Sequence, residues 1–526
     1  MRQPASIFND VIGPVMVGPS SSHTAASVRI GRLMRQMVKD KPKKVIFEFE
    51  TKGSLAETYH GQGSDFGLIG GLLNYEPHDI RIVNSLKEAK NLGIEVEFKV
   101  VDYEANHPNT YKTTMIETGG NEIHATFIST GGGMIEVTEI EGVCVSITGG
   151  FYETIIIFED TDKSDVIKAE EYLKSNVKEY DYITLHENSC KFIINVKSQR
   201  ILSEEFLSEL GKTSSIKRII NFSPVLPIKS QKNYNILFSS AAEIETIATE
   251  ENIQLWEAAV NYESARGCIS KLEVFDKMKE IVNILKSSID NGKNGTSYKD
   301  RILGHQSHLL EKEDTKLIPG DVFNSVIKYI TLLMEIKSSM GVIVAAPTAG
   351  SCGALPGSII GTAKELGLSD DEITKAMLAA GIIGVLIAEK STFAAEICGC
   401  QAECGSGSGM AAAGLVQLMG GSAKQCIDAA SMALQNVFGM VCDPVADRVE
   451  VPCLGKNVMA GTNAMAAANM VLAGFDKVIP LDETIESLYK VGMMLPSELR
   501  CTGKGGLSIT KTSKLIHENL QKINSL

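Results

Sequence analysis

The chain has 526 residues, 44% of them hydrophobic and 22% charged, with a net charge of −13. That length exceeds the roughly 250–300 residues at which single cores stop growing, so more than one core is expected. The acidic balance, with no basic stripe interleaved with aromatics, excludes nucleic acid as the expected partner.

The amino-terminal stretch Met1-Arg2-Gln3-Pro4-Ala5-Ser6-Ile7-Phe8 has no apolar signal core. Shortly after it, Gly18-Pro19-Ser20-Ser21-Ser22-His23-Thr24 opens a helical pattern from Ala25 to Met34. Serines at a helix start present hydroxyls and free N–H groups to an anion. They are also ordinary N-caps, and the residues alone leave both readings open. Val45–Glu50 and Val96–Val101 alternate as half-buried strands do. The loop between them carries His60, whose ring suits proton transfer at neutral pH but is equally at home as an idle loop histidine.

A Thr130-Gly131-Gly132-Gly133 hinge leads into further strands up to residue 150. Residues 151–225 then read strand, helix, strand, strand, helix, strand, the order of a ferredoxin-like unit. Pro224 to Asn235 is a proline-spaced polar connector, and 226–238 is taken as the linker. From 239 to 526 the pattern is helical. Ser240-x-x-Glu243 and Ser369-x-x-Glu372 are capping boxes, Asp482 opens another helix, and Asn291–Gly295 is a loop. The apolar run Ala376–Ala388 is too short to cross a bilayer and reads as buried helix, so no membrane partner is expected. The fold class is therefore α+β and multidomain, with an α/β domain over 1–150, the ferredoxin-like domain, and an all-α domain at the carboxyl end.

Eight of the eleven cysteines lie beyond position 350. Cys426, inside a helical run, reads as packing. Cys400, Cys442 and Cys453 read differently, the last two lying close to Pro444 and Pro452, where the chain leaves regular structure and turns a thiolate inward. Their spacing is neither that of a zinc ribbon nor that of a ferredoxin, so it does not name a metal. It allows three separated thiolates, and three thiolates on a four-iron cluster leave one iron open as a Lewis acid. Eleven cysteines without a signal segment point to a reducing cytoplasm, where thiols bind metal and do not pair.

At these residues the chain resembles a known family. Ala345-Ala-Pro-Thr-Ala-Gly-Ser-Cys-Gly353, Gly399-Cys-Gln-Ala-Glu403, Met410-Ala-Ala-Ala-Gly414 and the segment from Cys442-Asp-Pro to Val451-Pro-Cys453 resemble the catalytic part of iron-sulfur-dependent L-serine dehydratases. Gly13-Pro14 and the Gly18–Thr24 loop resemble that family's second part. The resemblance implies a 4Fe-4S cluster on Cys400, Cys442 and Cys453 and elimination of L-serine to pyruvate and ammonia. It also implies substrate contacts from Ser20, Ser21, Ser22, Thr24, Thr348, Gly350, Ser351 and Asn457. The family's histidine in Gly-His-Gly-Thr-Asp falls on Gln62 here, which moves the expected acid/base role to His23 or His60.

Residues 151–225 resemble an ACT domain, a module that takes amino acids at helix starts and dimer interfaces, which implies a homodimer. The charged, glycine-free loop Glu159–Asp165 favours a structural role over effector binding. Some relatives cap the open iron with a carboxy-terminal cysteine, for which Cys398, Cys404 or Cys501 would have to substitute. Two further functions fit the same residues: a family lyase acting on another β-substituted amino acid such as L-cysteine, and a non-catalytic amino-acid-binding redox sensor. A pyridoxal phosphate enzyme has only Thr502-Gly-Lys-Gly-Gly506 in its favour.

Overall fold

The computed structural model describes residues 3–159, 161–213, 216–312 and 315–524; Asp160 of the charged loop and the terminal residues lie outside them. The amino-terminal region is built on a six-stranded sheet in the order Glu95–Val101, Lys44–Glu50, Thr110–Ile116, Glu122–Gly131, Met134–Ile140 and Val143–Ile147. The first pair is parallel and the others antiparallel. Alternation along Glu122–Gly131 turns Ile123, Ala125 and Phe127 into the core, as a two-residue period requires.

The helices Ala26–Met37 and Ser64–Leu72 pack very closely together. A Cβ added at Gly31 would run into the Leu68 carbonyl, and one at Gly71 into the Val28 carbonyl. Both contacts are backbone, which cannot rotate away. Gly71→Ala is therefore expected to destabilise the chain by about 1–3 kcal/mol, read as a lowered denaturant midpoint.

The ferredoxin-like order holds, with strands Tyr152–Glu159, Tyr182–Glu187, Lys191–Ser198 and Arg218–Phe222 and helices Lys163–Asn176 and Glu204–Thr213. The sheet runs fourth, first, third, second and is antiparallel throughout. Ile156, Phe158, Ile194 and Val196 face the two helices. Ile155, Ile157, Ile193 and Ile220 face the other way and join the core of the amino-terminal sheet. Burial on both faces explains the unbroken Ile155–Phe158 apolar run.

In the helical half, Asp370–Lys390 begins at the Ser369 capping box and is buried from Ile373 to Ala388. Among the described residues no helix is long and apolar enough to cross a membrane. Helix Lys271–Lys293 runs through part of the loop expected at 291–295, because Gly292 packs against the Ile336 side chain and its lack of a Cβ is used there.

One connection positions the site. Ile7–Val11 is embedded in the core of the helical half, and Val15–Val17 pairs antiparallel with Val342–Val344. The chain start thus crosses into the carboxy-terminal half and sets the Gly18–Thr24 loop beside Ala349, whose N–H donates to Ser21 Oγ at 3.3 Å.

Candidate active site

Cys400 follows the short helix Ala395–Cys398 and Gly399, whose φ of +70° makes the turn. A side chain on Gly399 would meet the Met440 carbonyl at 2.9 Å, so glycine also permits the close approach. Cys442 lies in an extended segment stitched to 499–501: its N–H donates to Leu499 O at 2.8 Å, and Cys501 N–H donates to Cys442 O at 3.0 Å. Cys453 is the first residue of helix Cys453–Leu472.

All three thiols are buried, and two more join them. Cys404, one helical turn past Cys400, places its sulfur 3.5 Å from that of Cys400, and Cys501 makes a sulfur contact with Cys442. Ala354, Ala395 and Ala460 fill the same patch. All eleven cysteines are free thiols. The contact with Cys501 and burial hold the Cys442 thiol well above its ordinary range, and burial does the same to Cys453. Among the described residues no three histidine, cysteine or carboxylate side chains gather as they would around a single ion.

Cys442, Cys453 and Cys501 form one wall of a narrow cavity. Ser20, Ser22 and Gln62 come to it from the amino-terminal region, and Gly350, Glu396 and Glu403 from the helical half. Ser22 Oγ donates to Glu396 Oε1 at 3.0 Å and Thr348 Oγ1 to Glu403 Oε1 at 2.6 Å. Burial pushes the Glu403 carboxyl up to about 7 against the opposing Thr348 hydrogen bond. Gln62 is 2% exposed and its Nε2 has no partner, a buried donor left unused at the cavity wall. Its backbone is fixed by Thr24, whose Oγ1 donates to Gln62 O at 2.7 Å.

The two histidines stand apart from this cavity. His23 is buried, with Nδ1 at 3.1 Å from Ser20 Oγ and 3.2 Å from Ser22 Oγ, and Nε2 at 3.0 Å from Thr58 Oγ1. Burial lowers its pKa, so the ring is neutral and holds the two serines that face the cavity. His60 is mostly exposed and pairs with Asp65 at 2.6 Å, which raises its pKa. It lines a neighbouring recess with Tyr298 and Arg448, the latter held by Asp300 at 2.7 Å.

Within the Thr348 turn, Ser351 is wholly buried and its Oγ accepts the Thr348 N–H at 3.2 Å, leaving Gly350 to face the cavity. Asn457 is also wholly buried. Its Oδ1 accepts from the N–H groups of Gly353 and Ala354 at 3.2 and 2.9 Å, while Nδ2 donates to Gly350 O at 2.8 Å and Cys453 O at 2.9 Å. One amide thus ties the Gly350 turn to the Cys453 helix start. Asn457→Ala is expected to cost about 1–3 kcal/mol for each buried group left unpaired. Thermal unfolding of the isolated chain checks it.

Glu396 and Glu403 are site features absent from the sequence expectations, and Cys404 and Cys501, expected only as substitutes capping the iron, lie against Cys400 and Cys442. Glu403 sits inside the Gly399–Glu403 motif and Cys404 one turn after Cys400, so both carried a local signal. Cys501 did not, since only the pairing of residues 499–501 with Cys442 brings it in.

Residues 7–140 match the family model described as the serine dehydratase beta chain, and residues 250–508 the one described as the alpha chain. A probable L-serine dehydratase alpha chain of Bacillus subtilis is 33% identical over 54% of this chain and 95% of its own length. The corresponding B. subtilis beta chain is 44% identical over 30% of this chain and 69% of its own length. L-serine dehydratase 2 of Escherichia coli is 24% identical across 96% of this chain and 98% of its own length. The chain therefore belongs to the serine dehydratase family, with beta-chain and alpha-chain regions joined in one polypeptide.

Proposed function

We propose that the chain is an L-serine ammonia-lyase that eliminates the β-hydroxyl of L-serine, giving pyruvate and ammonia, with a 4Fe-4S cluster held by Cys400, Cys442 and Cys453. The observation that carries this reading is one cavity that gathers buried free thiols, two carboxylates and an unused amide donor. The donor set fits the cluster: the ligands are soft sulfurs shielded from water, Cys442 and Cys453 on the cavity wall and Cys400 in one buried patch with Cys442. Such burial raises thiol pKa values, and metal is what deprotonates a thiol in such surroundings. When bound, the cluster supplies an open iron, a Lewis acid for a departing hydroxide.

The remaining work falls to side chains of this protein. With Gln62 where the family carries histidine, the base is assigned to Glu403, which faces the cavity and is fixed by Thr348. Glu403 takes the α-proton, and the C–O electron pair leaves with hydroxide. Gln62 Nε2 donates to the substrate carboxylate, and Ser20 and Ser22, their hydroxyls engaged by His23 and Glu396, shape the wall beside it. Asn457 and Ser351 position the Gly350 turn and touch no substrate. The enamine left by loss of water becomes the imine, and hydrolysis gives pyruvate and ammonia.

Eleven free thiols support a reducing cytoplasm as its compartment. The ACT-like reading of residues 151–225 rests on element order, and the homodimer it implies is checked by light scattering. The replacement at Gln62 also keeps a second reading, preference for L-cysteine. Anaerobic reconstitution followed by assays with L-serine, D-serine, L-threonine and L-cysteine decides. Pyruvate forming fastest from L-serine supports the proposal; faster sulfide release from L-cysteine favours the second reading, and no turnover of any of the four overturns both.

A further inference from the structure

Cys501 is a thiol on the cavity wall that the proposed chemistry leaves without a task. It is half-buried, lines the cavity together with Cys442 and Cys453, and packs against the patch that contains Cys442. Its sulfur touches that of Cys442, and both are free thiols. The wall therefore carries two reduced sulfurs in contact, one of them within reach of any small molecule that enters.

The backbone builds this contact. Cys442 N–H donates to Leu499 O at 2.8 Å and Cys501 N–H to Cys442 O at 3.0 Å, with Arg500 opposite Cys442. Strand spacing and rise then set the Cα atoms of Cys442 and Cys501 roughly 5–6 Å apart, inside the span of about 4.4–6.8 Å that a disulfide takes. Side chains alternate along an extended strand, which would turn Cys501 away from Cys442. Its φ of +61° instead lies in the left-handed region that cysteine seldom adopts, and the thiol faces back. Arg500 is occupied elsewhere, donating from Nε to Leu495 O at 2.8 Å.

The segment carrying Cys501 is made of short turns, Ser497–Leu499 and Gly506–Ile509, so it can shift by the small distance that separates a contact from a bond. The Cys400–Cys404 pair differs. Those sulfurs are 3.5 Å apart, but both are buried and neither lines the cavity.

We infer that Cys442 and Cys501 are a site of reversible oxidation, closing to a disulfide when hydrogen peroxide enters the cavity and reopening with a thiol reductant. The Cys501 sulfur attacks one peroxide oxygen; an S–O bond forms, the O–O bond breaks, and water leaves with the thiol proton. The Cys442 sulfur then attacks the Cys501 sulfur; the S–S bond forms, the S–O bond breaks, and a second water leaves. The two thiols give up two electrons and the peroxide takes both. The consequence for the enzyme rests on the lyase reading, since a sulfur bonded to sulfur is no longer a thiolate ligand. The bridge itself needs no cofactor.

The test treats the iron-free full-length chain with stoichiometric hydrogen peroxide, then alkylates and digests it without reductant. A peptide joining Cys442 to Cys501 is expected, about 2 Da lighter than its two halves, and dithiothreitol is expected to release both thiols. Cys501→Ser is expected to yield no such peptide and Cys426→Ala to yield it as the wild type does. Circular dichroism establishes that the variants are folded, and Cys501→Ala replaces Cys501→Ser should the latter not fold. In iron-loaded chain under the same treatment, the bridged fraction is expected not to exceed the fraction that has lost iron. Bridging at full iron content would leave the bridge standing and count against Cys442 as a ligand. The inference is overturned if the wild type yields no joined peptide, if Cys442 is joined to a different cysteine, or if reductant fails to release it.

Discussion

Cys442→Ala protein, reconstituted without air, is expected to hold little or no iron and to form pyruvate from L-serine about 10³-fold more slowly or worse. The size follows from what is lost: each 1.4 kcal/mol of transition-state stabilisation is a factor of ten, and Lewis-acid assistance to a hydroxide leaving group is worth several kcal/mol. The loss is not expected to come from unfolding. Cys442 belongs to a patch already filled by Ala354, Ala395 and Ala460, and its segment is held by backbone hydrogen bonds to residues 499–501. Cys400→Ala and Cys453→Ala are expected to behave alike. Cys426→Ala serves as the control, since Cys426 is buried in a helix away from the cavity and its loss should leave iron content unchanged. Iron bound at the wild-type level by Cys442→Ala protein would remove Cys442 from the ligand set.

Glu403→Gln is expected to keep the cluster and lose about 10²–10⁴-fold in kcat, the usual worth of a positioned general base. The substitution is nearly isosteric, and glutamine still accepts the Thr348 hydroxyl, so the turn is preserved while the proton acceptor is removed. Glu396→Gln is expected to cost less, because that carboxylate takes two donors, Ser22 at 3.0 Å and Asn109 at 3.5 Å, where Glu403 takes one, from Thr348. Gln62→Leu removes a donor without touching the base, and is expected to raise KM about tenfold with a smaller change in kcat. Equal kcat losses for Glu403→Gln and Glu396→Gln would leave the base unassigned between them; wild-type kcat in Glu403→Gln would exclude it.

Much of the architecture was legible from period alone. The Val45–Glu50 and Val96–Val101 alternation, the strand–helix order of residues 151–225 and the Ser369 capping box each encode a local structure that tertiary packing then reinforced. The cysteines near Pro444 and Pro452 stood out as chemistry because sulfur in a small-residue helical half has few other uses. What stayed hidden is whatever depends on distant segments meeting. Nothing near Ile7–Val11 says that it belongs to the helical core, and nothing near Cys501 says that it pairs with Cys442. His23 carries a suitable ring, but the fold uses both of its nitrogens to hold Ser20, Ser22 and Thr58, and leaves a glutamate facing the cavity.

Iron, acid-labile sulfide and the Mössbauer spectrum of the anaerobically reconstituted chain, taken with and without L-serine, test the central claim most directly. About four irons and four sulfides per chain are expected, with one iron subsite shifting when L-serine is added. Zinc in place of iron, or a turnover-competent chain whose iron spectrum is indifferent to L-serine, would contradict it.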